Sequence, residues 1–345
     1  MAKLRRFGTT IAPMSETRRI LIVTPTLNSE KFLEETLQSV ASQQGDFVIH
    51  HHVQDGVSSD GTVDILRKWE ERLAGGERFQ GGADVRFSWT SEKDRSMYDS
   101  LNKGFSRLLS EMPAGETVLM TWINSDDRLA SGSMLTALSA HLETGYEVIT
   151  GLGSIILETG AKAWTLPYSP LARSNVRKGL HDGRTLGFIM QEGTYWTPAL
   201  WQKSGGLDAS LRLAGDWDLW RRFAEHTEWL RLKVVLASHR RHDQQLSHDH
   251  EKYWAEVDRV MEGCDLEKAE ADAMDWGYGA RINLHTKQWE IEKQEAGIHA
   301  SKNKKGEWSL RFSSLGHPVI GSIGLSYTEH WGRWSDANIY DRVIL

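Results

Sequence analysis

The residues with the clearest chemical potential in this chain of 345 stand side by side. An apolar run, Thr117–Ile123, leads straight into Asn124-Ser125-Asp126-Asp127. Neighbouring carboxylates repel each other unless a cation lies between them or one takes up a proton. Their hard oxygens suit Mg2+ or Mn2+, ions that also bridge diphosphate oxygens and neutralise charge on a departing diphosphate. The competing reading is that these residues only cap a helix starting near Ser131. Two other clusters fail as reactive centres. His50-His51-His52 alternates faces along a strand, which cannot turn three ligands onto one ion, so a zinc site is rejected. Cys264 is the single cysteine, which excludes a disulfide within the chain and fits a reducing cytoplasm. In Glu262-Gly263-Cys264-Asp265 it reads as structural.

The elements that must position the acidic pair alternate along the chain. Arg19–Val23 reads as a short buried strand, ended at Thr24-Pro25. Asn28 and Ser29 read as N-caps of a helix through Leu37. Phe47–Val53 is a second strand, ending at Gln54-Asp55-Gly56. A helix over 61–73, a strand over 85–89 and a helix over 97–109 follow. The run before Asn124 is the fourth strand, then come a helix over 133–142 and a strand over 147–150. This alternation predicts an α/β fold, a mostly parallel sheet with helices on both faces. Ligands bind such sheets beyond the carboxyl ends of the strands. Asn28, Asp55, Glu92, Asp94, Asp126 and Asp127 all fall at those ends. Residues 160–190 are irregular, 250–275 read as a helix, and strands and turns follow 280, with a charged turn at Lys302–Gly306.

Several segments carry a resemblance. They are Val23-Thr24-Pro25-Thr26-Leu27-Asn28, Val53-Gln54-Asp55-Gly56 with Ser59-Asp60-Gly61-Thr62, and Glu92-Lys93-Asp94 through Tyr98-Asp99, Asn102, Lys103 and Gly104. With Asn124-Ser125-Asp126-Asp127 in the place of a DXD-type motif, they resemble in order the family 2 glycosyltransferases, which have the Rossmann-like GT-A fold. The resemblance covers about 18–250 and is strongest over 20–130. It implies a nucleotide-sugar donor. Pro25 and Asn28 would line the nucleotide pocket. Asp55 would accept a hydrogen bond from the base, and Asp94 would face base, ribose or sugar. Asn102 and Lys103 would support the donor pocket. Asp126 would touch ribose or sugar, and Asp127 would be the direct ligand of Mn2+ or Mg2+. Gln191, Glu192 and Trp196 lie in a segment similar to the family's acceptor-side element. Asp216, in Gly215-Asp216-Trp217-Asp218-Leu219-Trp220, holds the position of the general base of inverting members. Glu192 is the second choice for the base, and a helix N-cap is the other reading of Asp216. His242 or a nearby Arg, in the late element His239-Arg240-Arg241-His242 through Gln245-Leu246-Ser247, would contact metal or diphosphate. The sequence departs from the family at Ser96, where Gly is usual, at Met190, where His is common, and at Gly215, where an acid is usual.

Composition bounds the rest. The net charge of -6 lacks the basic footprint of a nucleic-acid binder. The basic start Lys3-Leu4-Arg5-Arg6 is not followed by an apolar stretch, so it is not read as a signal peptide. No window is apolar enough to span a bilayer, so any work at a membrane must be by peripheral docking. The expected organisation is a disordered N-terminus over 1–18, a GT-A domain over 19–250, a helical linker over 251–280 and a small β-rich region over 281–345. The segment Ser326–Ser335, with Trp331 and Trp334, is similar to one found beside bacterial surface-polysaccharide enzymes. It reads either as a glycan contact or as a compact hairpin. The expected acceptor is a surface glycan or lipid-linked oligosaccharide. The alternative is a catalytically inactive GT-A module serving as a glycan-binding or assembly protein. A nucleotidyltransferase would want a Gly-rich basic loop after the first strand, and none is present.

Overall fold

The computed structural model describes residues 18–312 except 80–81, 112–117, 167, 244, 246–248, 263–275, 284–285, 287, 296–297 and 303–307. Residues 1–17, Cys264, most of the turn at 302–306 and the tryptophan-bearing segment at 326–335 lie outside the described residues.

The first half runs β1 (Arg19–Thr26), α1 (Leu33–Ala41), β2 (Val48–Asp55), α2 (Thr62–Ala74), β3 (Asp84–Ser91), α3 (Met97–Ser110), β4 (Val118–Trp122), β5 (Arg128–Leu129) and α4 (Ser133–Thr144). It continues with β6 (Val148–Leu152), β7 (Ser154–Leu157), β8 (Lys162–Thr165), α5 (Arg173–Arg177), β9 (Thr194–Trp196), α6 (Pro198–Ser204) and α7 (Gly215–Ala224). The last part holds β10 (Trp229–Val235), β11 (Ala237–Arg241), α8 (His250–Met261), β12 (Trp276–Ile282), β13 (Trp289–Glu295), β14 (Ile298–Lys302) and β15 (Trp308–Phe312).

The main sheet has nine strands in the order β13-β12-β10-β6-β9-β4-β1-β2-β3. β1 pairs in parallel with β2 on one side and β4 on the other, so the winding reverses at β1. That reversal opens a crevice at the carboxyl ends of β1 and β4, the usual place for a ligand in a doubly wound sheet. β9 runs antiparallel between β4 and β6. A second sheet, β5-β11-β7-β8, stands beside this crevice. The expected α/β architecture with a mostly parallel sheet is therefore present. β1 is apolar on both faces because helices cover both: Ile20, Leu21, Ile22 and Val23 are all fully buried.

Three expectations change. α1 begins at Leu33 with Phe32 at its N-cap, so Asn28 and Ser29 do not cap it. Asn28 adopts a left-handed backbone (φ 51), away from the β region typical of side-chain N-caps, and spends its side chain on the next loop. The acidic pair does not cap α4, whose N-cap is Gly132. The boundary expected between the helical linker (251–280) and the small β-rich region (281–345) falls within β12, which pairs in parallel with β10 as part of the main sheet.

Trp196 also moves from its expected place on the acceptor side. It is fully buried because β9 is wedged between two strands of the main sheet. Its ring lies 5.3 Å from that of Trp122, 5.8 Å from Trp220, 5.9 Å from Phe105 and 6.0 Å from Trp201. Aromatic side chains of this size dominate core energetics. Truncation would leave a cavity that such a rigid surround cannot close. Trp196→Ala is expected to cost about 3–5 kcal/mol of stability in denaturant unfolding. A cost below about 1 kcal/mol would contradict this placement.

Candidate active site

The donor-side loops are tied to one another before any ligand arrives. Asn28 donates its backbone N–H to Ser58 Oγ (2.8 Å), and its Oδ1 accepts from the Ser59 N–H (2.8 Å). Asp55, at the end of β2, is fully buried. Its Oδ2 accepts from the Val57 N–H (3.1 Å), the Ser58 N–H (3.0 Å) and Ser91 Oγ (2.6 Å). Its Oδ1 is taken by the Ser58 hydroxyl. Both oxygens are thus engaged in holding the loop, which corrects the expectation of a direct contact with the base in this conformation. The loop it shapes is strained: Val57 has φ 68, a region that β-branched residues avoid. Such strain collects at ligand-binding loops.

Asp94 lies against the same loop. A Cβ on Gly56 would sit 2.7 Å from Asp94 Oδ2, so a larger residue there would push the Asp94 carboxylate aside. Burial raises the Asp94 pKa; Lys103 opposes the rise, while Asp99 and Asp55 add to it. Pro25 is buried at the end of β1. Asn102 exchanges two hydrogen bonds with the Leu207 backbone (2.8 and 3.0 Å). Lys103 donates to the Lys93 carbonyl (2.7 Å) and lies 3.5 Å from Glu92. Both α3 residues brace the loops around the crevice.

The acidic centre is built where the two sheets meet. β11 pairs antiparallel with β5, Ala237 opposite Leu129 and Ser238 opposite Arg128. Continuing that register brings His239 to Asp127. His239 Nδ1 lies 3.4 Å from Asp127 Oδ1 and 3.5 Å from Glu192 Oε1. Glu192 arrives from the turn before β9. Gly193, at φ 77, allows this, since a Cβ there would meet Leu236 Cβ at 2.8 Å. Asn124 Nδ2 reaches both Asp127 Oδ2 (3.2 Å) and Glu192 Oε1 (3.4 Å). Glu192, expected on the acceptor side, is thus a neighbour of Asp127.

Burial pushes the Asp127 pKa well up, and repulsion from Asp126 and Glu192 adds to it. Burial also works against charge on Glu192 and on His239. His239 overcomes it at Glu192, holding that pKa below its ordinary value, and Asp127 first, then Glu192, overcome it at His239, raising its pKa to about 11. One ligand atom from each of Asp127, Glu192 and His239 lies within 4.8 Å of the others, a group able to hold a metal ion. Among the described residues, Asn124 Oδ1, Gln191 Oε1 and His239 Nδ1 are buried without a hydrogen-bond partner. Buried polar atoms are rarely left so, and these three belong to the residues that form or adjoin the acidic centre. The donor set fits a divalent cation, with two oxygens that suit Mg2+ or Mn2+ and an imidazole that a transition ion takes more readily.

His242, the expected histidine ligand, is not in this group. Its Nε2 contacts Asp126 Oδ2 at 2.8 Å, and its ring packs on Phe32. Gln191 is buried and donates to the Trp122 carbonyl (2.6 Å), so it supports β4 and does not face an acceptor. His239 falls in the same late sequence element as His242 but carries no expected role there, and a nearby Arg is expected only as a contact to metal or diphosphate. Ala237–Arg241 reads Ala-Ser-His-Arg-Arg and lacks the apolar–polar alternation of a half-buried strand, so no local pattern marks it.

Asp216 opens α7, where its Oδ1 accepts the Trp217 N–H (2.8 Å). Burial raises its pKa to about 7, with Glu192 adding repulsion. Asp218 is bound to Arg222 (2.7 Å) and is structural.

A doubly wound sheet with an acidic centre at its switch point is the architecture of a GT-A glycosyltransferase. Residues 21–192 match the model of glycosyl transferase family 2, and the chain belongs to that family and to its enzyme class. Residues 299–345 match a domain of unknown function, DUF7024. S. aureus TarS residues 1–349 in complex with UDP-GlcNAc shares the fold, with a TM-score of 0.51, 16% identity, and coverage of 74% of this chain and 69% of that one. A longer TarS structure has a TM-score of 0.46 and 14% identity, and only 44% of its length is spanned. The mannosyltransferase PcManGT from Pyrobaculum calidifontis, in complex with GDP-Man and Mn2+, has a TM-score of 0.45 and 14% identity over 71% of this chain and 65% of that one. A comparison with curated proteins gives no match.

The geometry ranks the two histidines. His239→Ala and Asp127→Asn are each expected to weaken Mn2+-supported UDP binding by more than about tenfold, as the loss of a metal ligand should. His242→Ala should weaken it less. Calorimetry on the three variants checks the order, and a larger loss for His242→Ala would reverse the assignment.

Proposed function

We propose that this protein is an inverting, metal-dependent transferase that moves a sugar from a nucleotide-sugar donor to a hydroxyl of a surface glycan or lipid-linked oligosaccharide. The convergence of Asp127, Glu192 and His239 at the switch point of the sheet carries the proposal. UDP-sugars are the first donors to test, since TarS, which has the same fold, is known with UDP-GlcNAc. Asp127, Glu192 and His239 hold a Mn2+ or Mg2+ ion. Such an ion, when bound, offsets the negative charge of the leaving diphosphate. Asp126 and Asp94 face the ribose or sugar, and the loops at Pro25, Asn28 and Asp55 shape the nucleotide pocket.

Asp216 acts as the general base. It takes the proton of the acceptor hydroxyl as that oxygen bonds to the anomeric carbon. The bond from that carbon to the diphosphate breaks on the opposite face, and its electron pair leaves with the diphosphate. A carboxylate whose pKa stands near 7 is well matched to this task. No helix among the described residues is long and apolar enough to cross a membrane. A lipid-linked acceptor would therefore be met by docking at the cytoplasmic membrane face.

The base must be ionised to accept a proton, and its pKa is raised. Turnover should fall as pH drops through about 7, and recover on returning above it. Asp216→Asn should lower the rate by about 10²–10⁴-fold and remove this limb of the profile, while UDP binding with Mn2+ is retained. A variant with near-normal turnover would rule out Asp216 as the base.

A further inference from the structure

α8 follows the family-matched segment and reads in the sequence as a linker, yet its side chains reach the residues around Asp216. The residues just before α7 expose a row of N–H groups. Ala214, the N-cap, makes no side-chain cap hydrogen bond. Glu256 of α8 fills that role from a distance. Its Oε1 accepts from the Arg212 N–H (2.8 Å), and its Oε2 accepts from the Leu213 N–H (2.9 Å) and the Ala214 N–H (3.0 Å). A carboxylate receiving successive backbone N–H groups at a helix start is a strong, directional contact. Apolar packing of Val257 and the partly buried Tyr253, Val260 and Met261 with Ala214 and Trp217 holds α8 in place.

The other side of the same turn is held by α3. Tyr98 Oη donates to the Leu213 carbonyl (2.9 Å). A Cβ on Gly215 would lie 2.5 Å from Tyr98 Cε2 and 2.7 Å from Cζ. The Tyr98 ring therefore occupies the space that an acidic side chain at 215 would need. The turn is gripped by Glu256 through its N–H groups and by Tyr98 through a carbonyl, directly ahead of Asp216.

We infer that Glu256 is a positioning residue for Asp216, so that α8 is part of the catalytic unit. The inference rests on the reading of Asp216 as the base. Glutamine keeps the size of Glu256 but presents one acceptor oxygen and an NH2 group that repels N–H donors. With Mn2+ present, release of nucleoside diphosphate from UDP-GlcNAc, UDP-glucose and GDP-mannose into water reports turnover, and hydrogen exchange at 212–217 reports the turn. Glu256→Gln is expected to speed exchange there and to lower kcat by about 10²-fold, the loss that goes with a misplacement on the order of 1 Å. UDP affinity with Mn2+ and the donor KM should stay within about twofold, and Glu256→Asp should recover part of the rate. Unchanged exchange at 212–217 overturns the proposal, whichever donor is used. So does a fall in UDP affinity that matches the fall in kcat, since that marks general unfolding. Asp216→Asn in parallel separates the two readings. If it turns over normally, the base assignment fails and the positioning role with it. If it is inactive while Glu256→Gln stays within about twofold of the parent, the positioning role alone fails.

Discussion

Burying Asp127 beside Glu192 is the constraint to which the surrounding structure answers. Two carboxylates removed from water repel strongly and lose their hydration. Either one of them takes up a proton, as burial favours for Asp127, or a positive partner lies between them. His239 supplies one when protonated, and a divalent cation on the same atoms supplies a better one. The fold must therefore bring an acidic loop, a second acid and a histidine from three distant stretches of chain to within a few ångströms, and keep them there.

Arg240 does much of that holding. Its guanidinium is fully buried, a costly placement unless its N–H groups are satisfied. Nε donates to the Asp126 carbonyl (2.7 Å), Nη1 to the Glu158 carbonyl (2.8 Å) and Nη2 to Glu35 (2.7 Å), while its own N–H donates to Asp127 Oδ1 (2.8 Å). One side chain thus joins the acidic loop, the β7–β8 turn and α1. The planar fork of arginine suits such a junction, where lysine would offer a single charged point. The small second sheet exists to present this strand. β11 pairs with β5 immediately after Asp127, so the register that places Arg240 also places His239.

The alternating strands and helices of the first half were legible because parallel strands covered on both faces read as apolar runs such as Ile20–Val23. The acidic loop was legible because its position after the fourth strand fixes where it lies in a doubly wound sheet. What could not be read was how loops far apart in sequence meet. His239 and His242 both follow a strand-like run, and only the pairing of β11 with β5 decides which one faces Asp127. The resemblance of its segment put Trp196 on the acceptor side, but an antiparallel strand wedged between β4 and β6 turns it into the core. Glu256 lies in a helix whose local pattern says nothing of the turn at 212–214, which it caps across the chain.

The departures from the family pattern lose their force as signs of a dead site once each is seen in place. Ser96 stands where glycine is usual, yet its φ of -169 is ordinary extended backbone, and its hydroxyl caps α3 by accepting the Asp99 N–H. Met190 packs its Cγ where a Cβ on Gly153 would lie, at 2.6 Å, so the loss of a histidine there is matched by a glycine opposite. At Gly215 the Tyr98 ring lies where a Cβ would stand, with its Cε2 2.5 Å away, so the position is tightly packed. A scaffold retained only for packing would have no reason to keep Asp127, Glu192 and His239 buried against one another, since removing such groups from water carries a desolvation cost. Keeping such a cost while repacking the neighbouring positions is the pattern of a site kept for chemistry.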